Sequence, residues 1–434
     1  MKVNQSARFL MLLGLVGFAV EANRAGAEVA ASSGVEQKVA AEAWDRFRGP
    51  GGTGVSAATS VPTTWTETDY NWRASLPGQG ISSPVIWGDK LFVTAADETK
   101  LERYLLCYQT DNGSLLWQRG RPFVAEKKHA RNSYATSTPA VDATRVYAVW
   151  QSRTDSQLIA YDHDGKELWQ FELGPYKSGH GGGISPIVAD GVVALNNAHE
   201  GDSCFIGIDA ATGAQRWRVK REVEKASYST PCTFTAADGK VQLIFTDWRH
   251  GTTCVEAQTG KIVWEQDTFE SGDGEARRAI GSPFVAGDVI YGNCGFVNGK
   301  KFLAALKPAP AGGEPQLLFR LERTVNHMPT ALVYEGRLYS WTDTGIVLCA
   351  DALSGKTVWQ GRVGGDYSGS PVCVGGKLYC LSEDGEMVVL ATGEKFAELA
   401  RVKLPEGSSS TPAVSRGVLY FRTQSQLFSL GKRG

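Results

Sequence analysis

The chain repeats itself about every 45 residues, and that period limits its fold more than any other feature. One mark of the repeat is a Pro, usually preceded by Ser or Thr, that opens an apolar run. It occurs at Ser83-Pro84, Thr138-Pro139, Ser185-Pro186, Thr230-Pro231, Ser282-Pro283, Met328-Pro329, Ser370-Pro371 and Thr411-Pro412. The second mark is a turn Gly followed four residues later by Trp, at Gly113/Trp117, Gly165/Trp169, Gly213/Trp217, Gly260/Trp264 and Gly355/Trp359. Between the marks lie short apolar runs joined by Asp-, Asn- and Gly-containing turns of the kind that close tight hairpins. Each unit therefore reads as four antiparallel strands, A to D. Four strands per unit, repeated radially, is the pattern of a β-propeller.

The ends of the repeat fix the blade count. The last unit, from Pro412 to Leu430, has three strands and no Trp strand, while Trp72-Arg73-Ala74-Ser75-Leu76 precedes the first unit without partners of its own. Pairing the two removes exposed strand edges and closes the ring. The expectation is an all-β, eight-bladed propeller whose N-terminal strand completes the last blade. Blades five and seven are degenerate, with Phe319 in place of Trp and Phe396 near the expected position. On this reading residues 28–66 are dispensable for folding, whereas the strand at Trp72 is not.

The segment Ile208-Asp209-Ala210-Ala211-Thr212-Gly213, leading to Trp217, resembles the repeat of pyrroloquinoline-quinone-type (PQQ-like) propellers. The opening Trp44-Asp45-Arg46-Phe47-Arg48-Gly49-Pro50 resembles the lead-in of BamB-like bacterial members. The resemblance implies that Trp72, Trp117, Trp169, Trp217, Trp264 and Trp359 pack between neighbouring blades. It also implies one of two functions. Quinoprotein dehydrogenases of this type hold PQQ on the propeller axis between a Trp and a disulfide of adjacent Cys, with Ca²⁺ and a catalytic Asp. BamB-like members hold no cofactor and serve as protein-interaction platforms in the bacterial envelope. The sequence has no adjacent Cys pair, which favours the second.

Residues 1–27 read as a secretory leader: Lys2 and Arg8, an apolar run from Phe9 to Val20, then Ala25-Gly26-Ala27. The run is too short to span a bilayer, and no Cys stands at the cleavage site to take a lipid. Residues 28–43, rich in Ala, Ser and Glu, read as a flexible lead, and the propeller fills 44–434. A periplasmic or secreted mature chain without a transmembrane segment is expected. Lys and Arg number 45 against 46 Asp and Glu, a balance with no electrostatic footprint for nucleic acid.

The eight Cys would suggest disulfides in an exported protein. Yet Cys107, Cys254 and Cys349 each stand six residues before the turn Gly, one position of different blades, as small core fillers would. They read as buried free thiols, with a bridge left open only between Cys373 and Cys380 around the Gly375-Gly376 turn. The common signatures of hydrolases, P-loops, zinc proteases and EF-hands are absent, and Asp162-His163-Asp164-Gly165 reads as a hairpin turn, not a Ca²⁺ loop. No metal and no cofactor is expected.

The A–B and C–D turns, which share one face, are short. The opposite face carries long loops, and five of the six His (129, 180, 199, 250 and 327) fall there. Tyr134, His180, Tyr228, Arg277, Arg278, His327 and Tyr367 lie just before first strands and are expected to ring the channel mouth as a binding rim. Aromatic and cationic groups together suit a protein or peptide partner. The function expected is a non-catalytic interaction platform in the cell envelope, and the alternative is a PQQ- and calcium-binding oxidoreductase.

Overall fold

The computed structural model describes residues 38–40, 42–270, 272–296, 299–309 and 313–432. The leader at 1–27 and the lead up to residue 37 lie outside them. Ala43–Gly434 is one compact unit, separate from 1–42. Among the described residues, 32 strands form eight four-stranded antiparallel sheets. Seven are built from consecutive strands. Blade one, for instance, runs Val85–Trp87, Lys90–Asp97, Glu102–Gln109 and Leu115–Pro122. The eighth joins Ala413–Ser415, Val418–Arg422 and Gln426–Gly431 to the N-terminal strand Tyr70–Ser75. Trp72 pairs with Ser429 and Ala74 with Leu427. The protein is an eight-bladed β-propeller closed by its N-terminal strand.

Burial follows from the stacking of blades. Middle strands are covered on both faces by neighbouring blades, so Val192–Asn197 is buried throughout, whereas the outer strand Leu115–Pro122 is mostly exposed. Each Trp of an outer strand reaches the next blade. The indole N–H of Trp72, Trp117, Trp169, Trp217 and Trp359 donates to the carbonyl of Thr110, His163, Ala210, Ala257 and Gly393, at 2.8–3.1 Å. The rings lie against the turn Gly of that blade, Trp217 on Gly260 and Trp169 on Gly213. Trp264 is equally buried. Opposite Trp117, Trp264 and Trp359 stand Cys107, Cys254 and Cys349. All eight Cys are free and buried. Cys373 pairs across its hairpin with Leu378, not Cys380. The Asp of each turn is spent on the turn: Asp209 Oδ1 accepts from the N–H of Ala211 and Thr212, and Asp162 Oδ1 from Asp164 and Lys166.

Three expectations need correction. In blade seven Ala400, not Phe396, occupies the Trp position opposite Val389; Phe396 sits in the preceding turn with its ring edge against Trp359 of blade six. In blade six the residue equivalent to the Ser or Thr before Pro is Thr330, which follows Pro329, so Met328 is out of register. And residues 44–66 do not stand clear of the blades, as a dispensable segment would. Trp44 exchanges backbone hydrogen bonds with Ile86 of blade one, and Cys373 of blade seven with Gly54 and Ser56. Between these anchors the segment crosses the channel. Arg48 is fully buried and donates five hydrogen bonds, to the carbonyls of Gly52, Thr53, Thr330, Ala331 and Pro371. Downstream, Val61 and Trp65 join the core of the closing blades.

Candidate functional site

The Ser and Thr that open successive blades form a chain of hydrogen bonds around the axis. The backbone N–H of Ser83 donates to Thr138 Oγ1, Thr138 to Ser185, Thr230 to Ser282, Ser282 to Thr330, Thr330 to Ser370, Ser370 to Thr411 and Thr411 back to Ser83, at 2.9–3.2 Å. Seven of the eight hydroxyl oxygens, all but that of Thr230, thus satisfy a buried N–H that the first strand, at the hub, cannot pair within its own sheet. The Ser/Thr-Pro mark is the seam between blades as well as a strand opener.

These hydroxyls form the wall of a cavity of about 240 Å³. Phe47, from the segment that crosses the channel, lines it, as do His129, Arg131, Asn132, His180, Tyr228, Arg278, His327 and Met328 from the loops. Four residues of the expected rim, His180, Tyr228, Arg278 and His327, are therefore brought together. The other three are not. Arg277 turns away from its neighbour and lies over the rings of Trp248 and Phe302, at 4.8 and 5.5 Å, with Asp273 as ion partner. Tyr367 is fully buried, edge-on to Trp341. Tyr134 stacks near Phe123 at 4.4 Å, its hydroxyl donating to the carbonyl of Glu126, beside a second, much smaller cavity.

Arg278 is held by backbone pairing with Gly295 on both sides, at 3.0 Å. Its Nη2 donates to His180 Nδ1 at 3.2 Å and lies 3.8 Å from Glu200. His180 in turn stacks on His129, ring centres 5.2 Å apart. Burial and then the Arg278 charge push the His180 imidazole below its usual range. His327 is positioned by Asp343, whose carboxylate accepts the N–H of His327 and of Met328 at 3.0 and 2.9 Å and also Lys301 Nζ at 3.1 Å. Burial holds the His327 imidazole down at about 4 despite that carboxylate. Tyr228 shares a hydrogen bond with Ser178 and donates to the carbonyl of Gly181.

A strap made of residues 124–136 crosses one side of the mouth. Its Asn132 Nδ2 donates to the carbonyls of His180 and Gly182, at 2.7 and 2.9 Å. Arg131 pairs with Glu383 and Asp366 of the loops around blade seven, at 3.2 and 3.6 Å. Phe47, Asp343, Lys301 and Glu200 carry no repeat signal that sequence reasoning could have used. The hydroxyl ring did carry one, in the residue before each Pro.

Residues 103–313 and 303–433 match the sequence profile of the family described as "Outer membrane protein assembly factor BamB". The chain belongs to that family. Two dehydrogenases are similar to parts of this BamB-family chain. "1-butanol dehydrogenase (cytochrome c)" of Thauera butanivorans is 28% identical over 168 residues, 35% of this chain and 23% of that protein. "Quinohemoprotein alcohol dehydrogenase ADH IIB" of Pseudomonas putida is 30% identical over 135 residues, 30% of this chain and 19% of that protein. The chain therefore matches about a fifth of the length of these relatives. Among solved structures, BamB from Moraxella catarrhalis superposes with a TM-score of 0.60 at 18% identity, covering 83% of this chain and 98% of that one. A europium-containing methanol dehydrogenase superposes at 0.70 with 13% identity, covering 92% and 100%. Both share the fold.

The residues around the cavity do not fit the cofactor that the quinoprotein branch of the resemblance implies. No Trp, Cys, Asp or Glu lines it. The family sandwich of Trp and adjacent Cys, and a carboxylate for Ca²⁺, therefore have no counterpart there. Among the described residues, no helix is long and apolar enough to cross a membrane.

Proposed function

We propose that this chain is an exported, non-catalytic interaction platform of the bacterial cell envelope that binds a protein or peptide through its long-loop face. The observation that carries the reading is the chemistry of the axial cavity. It offers hydrogen-bond donors and aromatic or apolar surface, with none of the carboxylates or thiols that metal or quinone chemistry would use. Family membership supports it, as does the tripartite leader, whose removal after Ala27 would release the mature chain to the periplasm or medium. The second reading, a PQQ- and calcium-dependent oxidoreductase, draws on the partial similarity to named alcohol dehydrogenases.

Two measurements separate them. Affinity capture of the mature protein from its own envelope fraction should retain a defined partner. Titration with PQQ and Ca²⁺, followed by absorbance and an artificial electron acceptor, should give neither stoichiometric binding nor alcohol oxidation. Tight PQQ binding with turnover would reverse the ranking.

A further inference from the structure

Resting on the interaction reading, we propose that the axial cavity is a receptor for the C-terminal carboxylate of an extended peptide, seated between Arg278 and His327. The polarity of the lining is the first argument. Cationic or neutral nitrogen donors and hydroxyls face the cavity, and no acidic residue does. In the ring, the hydroxyl oxygens already accept the N–H of the adjoining blade, which uses one of two lone pairs and leaves each an O–H to donate. Such a surface suits an anion and offers little to an ammonium group.

Unmet demand at the two central residues is the second argument. Arg278 is 7% exposed and His327 is 3% exposed. Arg278 Nε and His327 Nδ1 are sealed from the cavity without a hydrogen-bond partner, so an anion would be met at the Nη atoms of the guanidinium, whose ion partner among the described residues is Glu200 at 3.8 Å. A buried guanidinium held that loosely is stabilised by a closer anion, and a planar carboxylate matches its fork.

Shape supplies the third. The segment Trp44–Ser56 crosses the channel, and its Phe47 lines the cavity. The volume, about 240 Å³, lies below the ~300–1,000 Å³ of sites for drug-sized ligands. A recess of that size, with the crossing segment in its wall, admits a chain end more readily than a folded surface. Ile81, Ile280 and Met328 line it as well, giving a final apolar side chain its contact.

The test is calorimetric titration of the whole mature protein with acetyl-Ala-Ala-X peptides, X being Leu, Met or Phe, as free acids and as C-terminal amides. At least one free acid should bind, with its amide at least tenfold weaker. Arg278→Gln should weaken the acid at least tenfold without moving the Tm by more than a few degrees, and Lys166→Ala on the short-turn face should leave binding unchanged. Binding should tighten from pH 7 to 5.5 with proton uptake, because a carboxylate beside His327 favours its imidazolium. Equal affinity for acid and amide, no binding by any free acid, or indifference to Arg278→Gln would overturn the proposal. Acetate or propionate binding as tightly as the peptides would overturn the peptide as the source. Partner capture that survives Arg278→Gln overturns the carboxylate receptor and leaves the platform standing. Peptide binding without any captured partner does the reverse.

Discussion

At the scale of single residues, the histidines are distinguished by what their ring nitrogens accept. His199 is 1% exposed, and its Nδ1 accepts the N–H of Gly201 at 3.0 Å and of Lys177 at 3.3 Å, with the ring near Tyr176. Burial opposes the charge and holds the imidazole down at about 4, and a protonated Nδ1 could accept neither bond. The unfolded chain takes up a proton near pH 6.5, the folded one only near 4. Between those values the unfolded state binds more protons, so stability is full above pH 6.5 and falls as the pH drops toward 4. Chemical denaturation at pH 7, 6 and 5 should show this loss with a slope approaching about 1.4 kcal/mol per pH unit from this one site. His199→Asn, which keeps an acceptor but cannot titrate, should flatten the profile by that amount. An unchanged slope in the variant would mean that His199 is not the group responsible.

Between elements, the contact that recurs is indole on glycine. Gly260 has φ +69°, and a Cβ added there would lie 2.7 Å from the Trp217 ring of the preceding blade. Gly239 has a similar φ of +83° in a hairpin of the same blade, with open space around it. Gly239→Ala should cost about 1 kcal/mol, the backbone term alone. Gly260→Ala should cost that plus an overpacking term of about 1–3 kcal/mol, and paired urea melts would separate the two. Similar losses would show that the Trp gives way freely and that the docking is not a fixed joint. Likewise, Thr330→Val keeps the shape but leaves the Ser282 N–H, now 2.9 Å from Thr330 Oγ1, without an acceptor. A loss of about 1–3 kcal/mol is expected, with Thr330→Ser restoring most of it. These joints were legible in the sequence because one physical requirement recurs in each blade, so a period exposes it. Where a blade departs from the period the reading is off by a residue or a few: Phe396 lies near the strand position that Ala400 holds but not on it, and Met328 stands out of the register of Thr330. The rim was half legible for a related reason. Position before a first strand places a residue near the mouth, but the direction of a side chain is decided by neighbours from other loops. Arg277 finds Trp248 and Phe302 on one side, and Arg278 finds His180 on the other.

For the whole molecule, ring closure has two parts, and the repeat reveals one. The strand Tyr70–Ser75 completes blade eight as its orphan Trp indicated. The segment Trp44–Ser56 has no counterpart in any other blade, so no internal comparison exposes its role. It ties blades one and two, held through Trp44 and the Asp45 carbonyl, to blade seven, held through Gly54. At its centre Arg48 gives three of its five hydrogen bonds to the carbonyls of Thr330, Ala331 and Pro371. Burial lowers the guanidinium only to about 9, so it stays charged at neutral pH. Arg48→Met fills much of the same space and leaves those three buried carbonyls without their donor. At about 1–3 kcal/mol for each buried group left unsatisfied, the loss should reach roughly 3 kcal/mol or more, read as a Tm lower by several degrees. A mature chain shortened to begin at residue 67 loses this tie together with Val61 and Trp65, and should melt lower still or fail to fold, although its closing strand is intact. If both variants melt within two or so degrees of the full chain, the crossing segment is a passenger in the channel, and β-pairing at the Trp72 strand alone closes the ring.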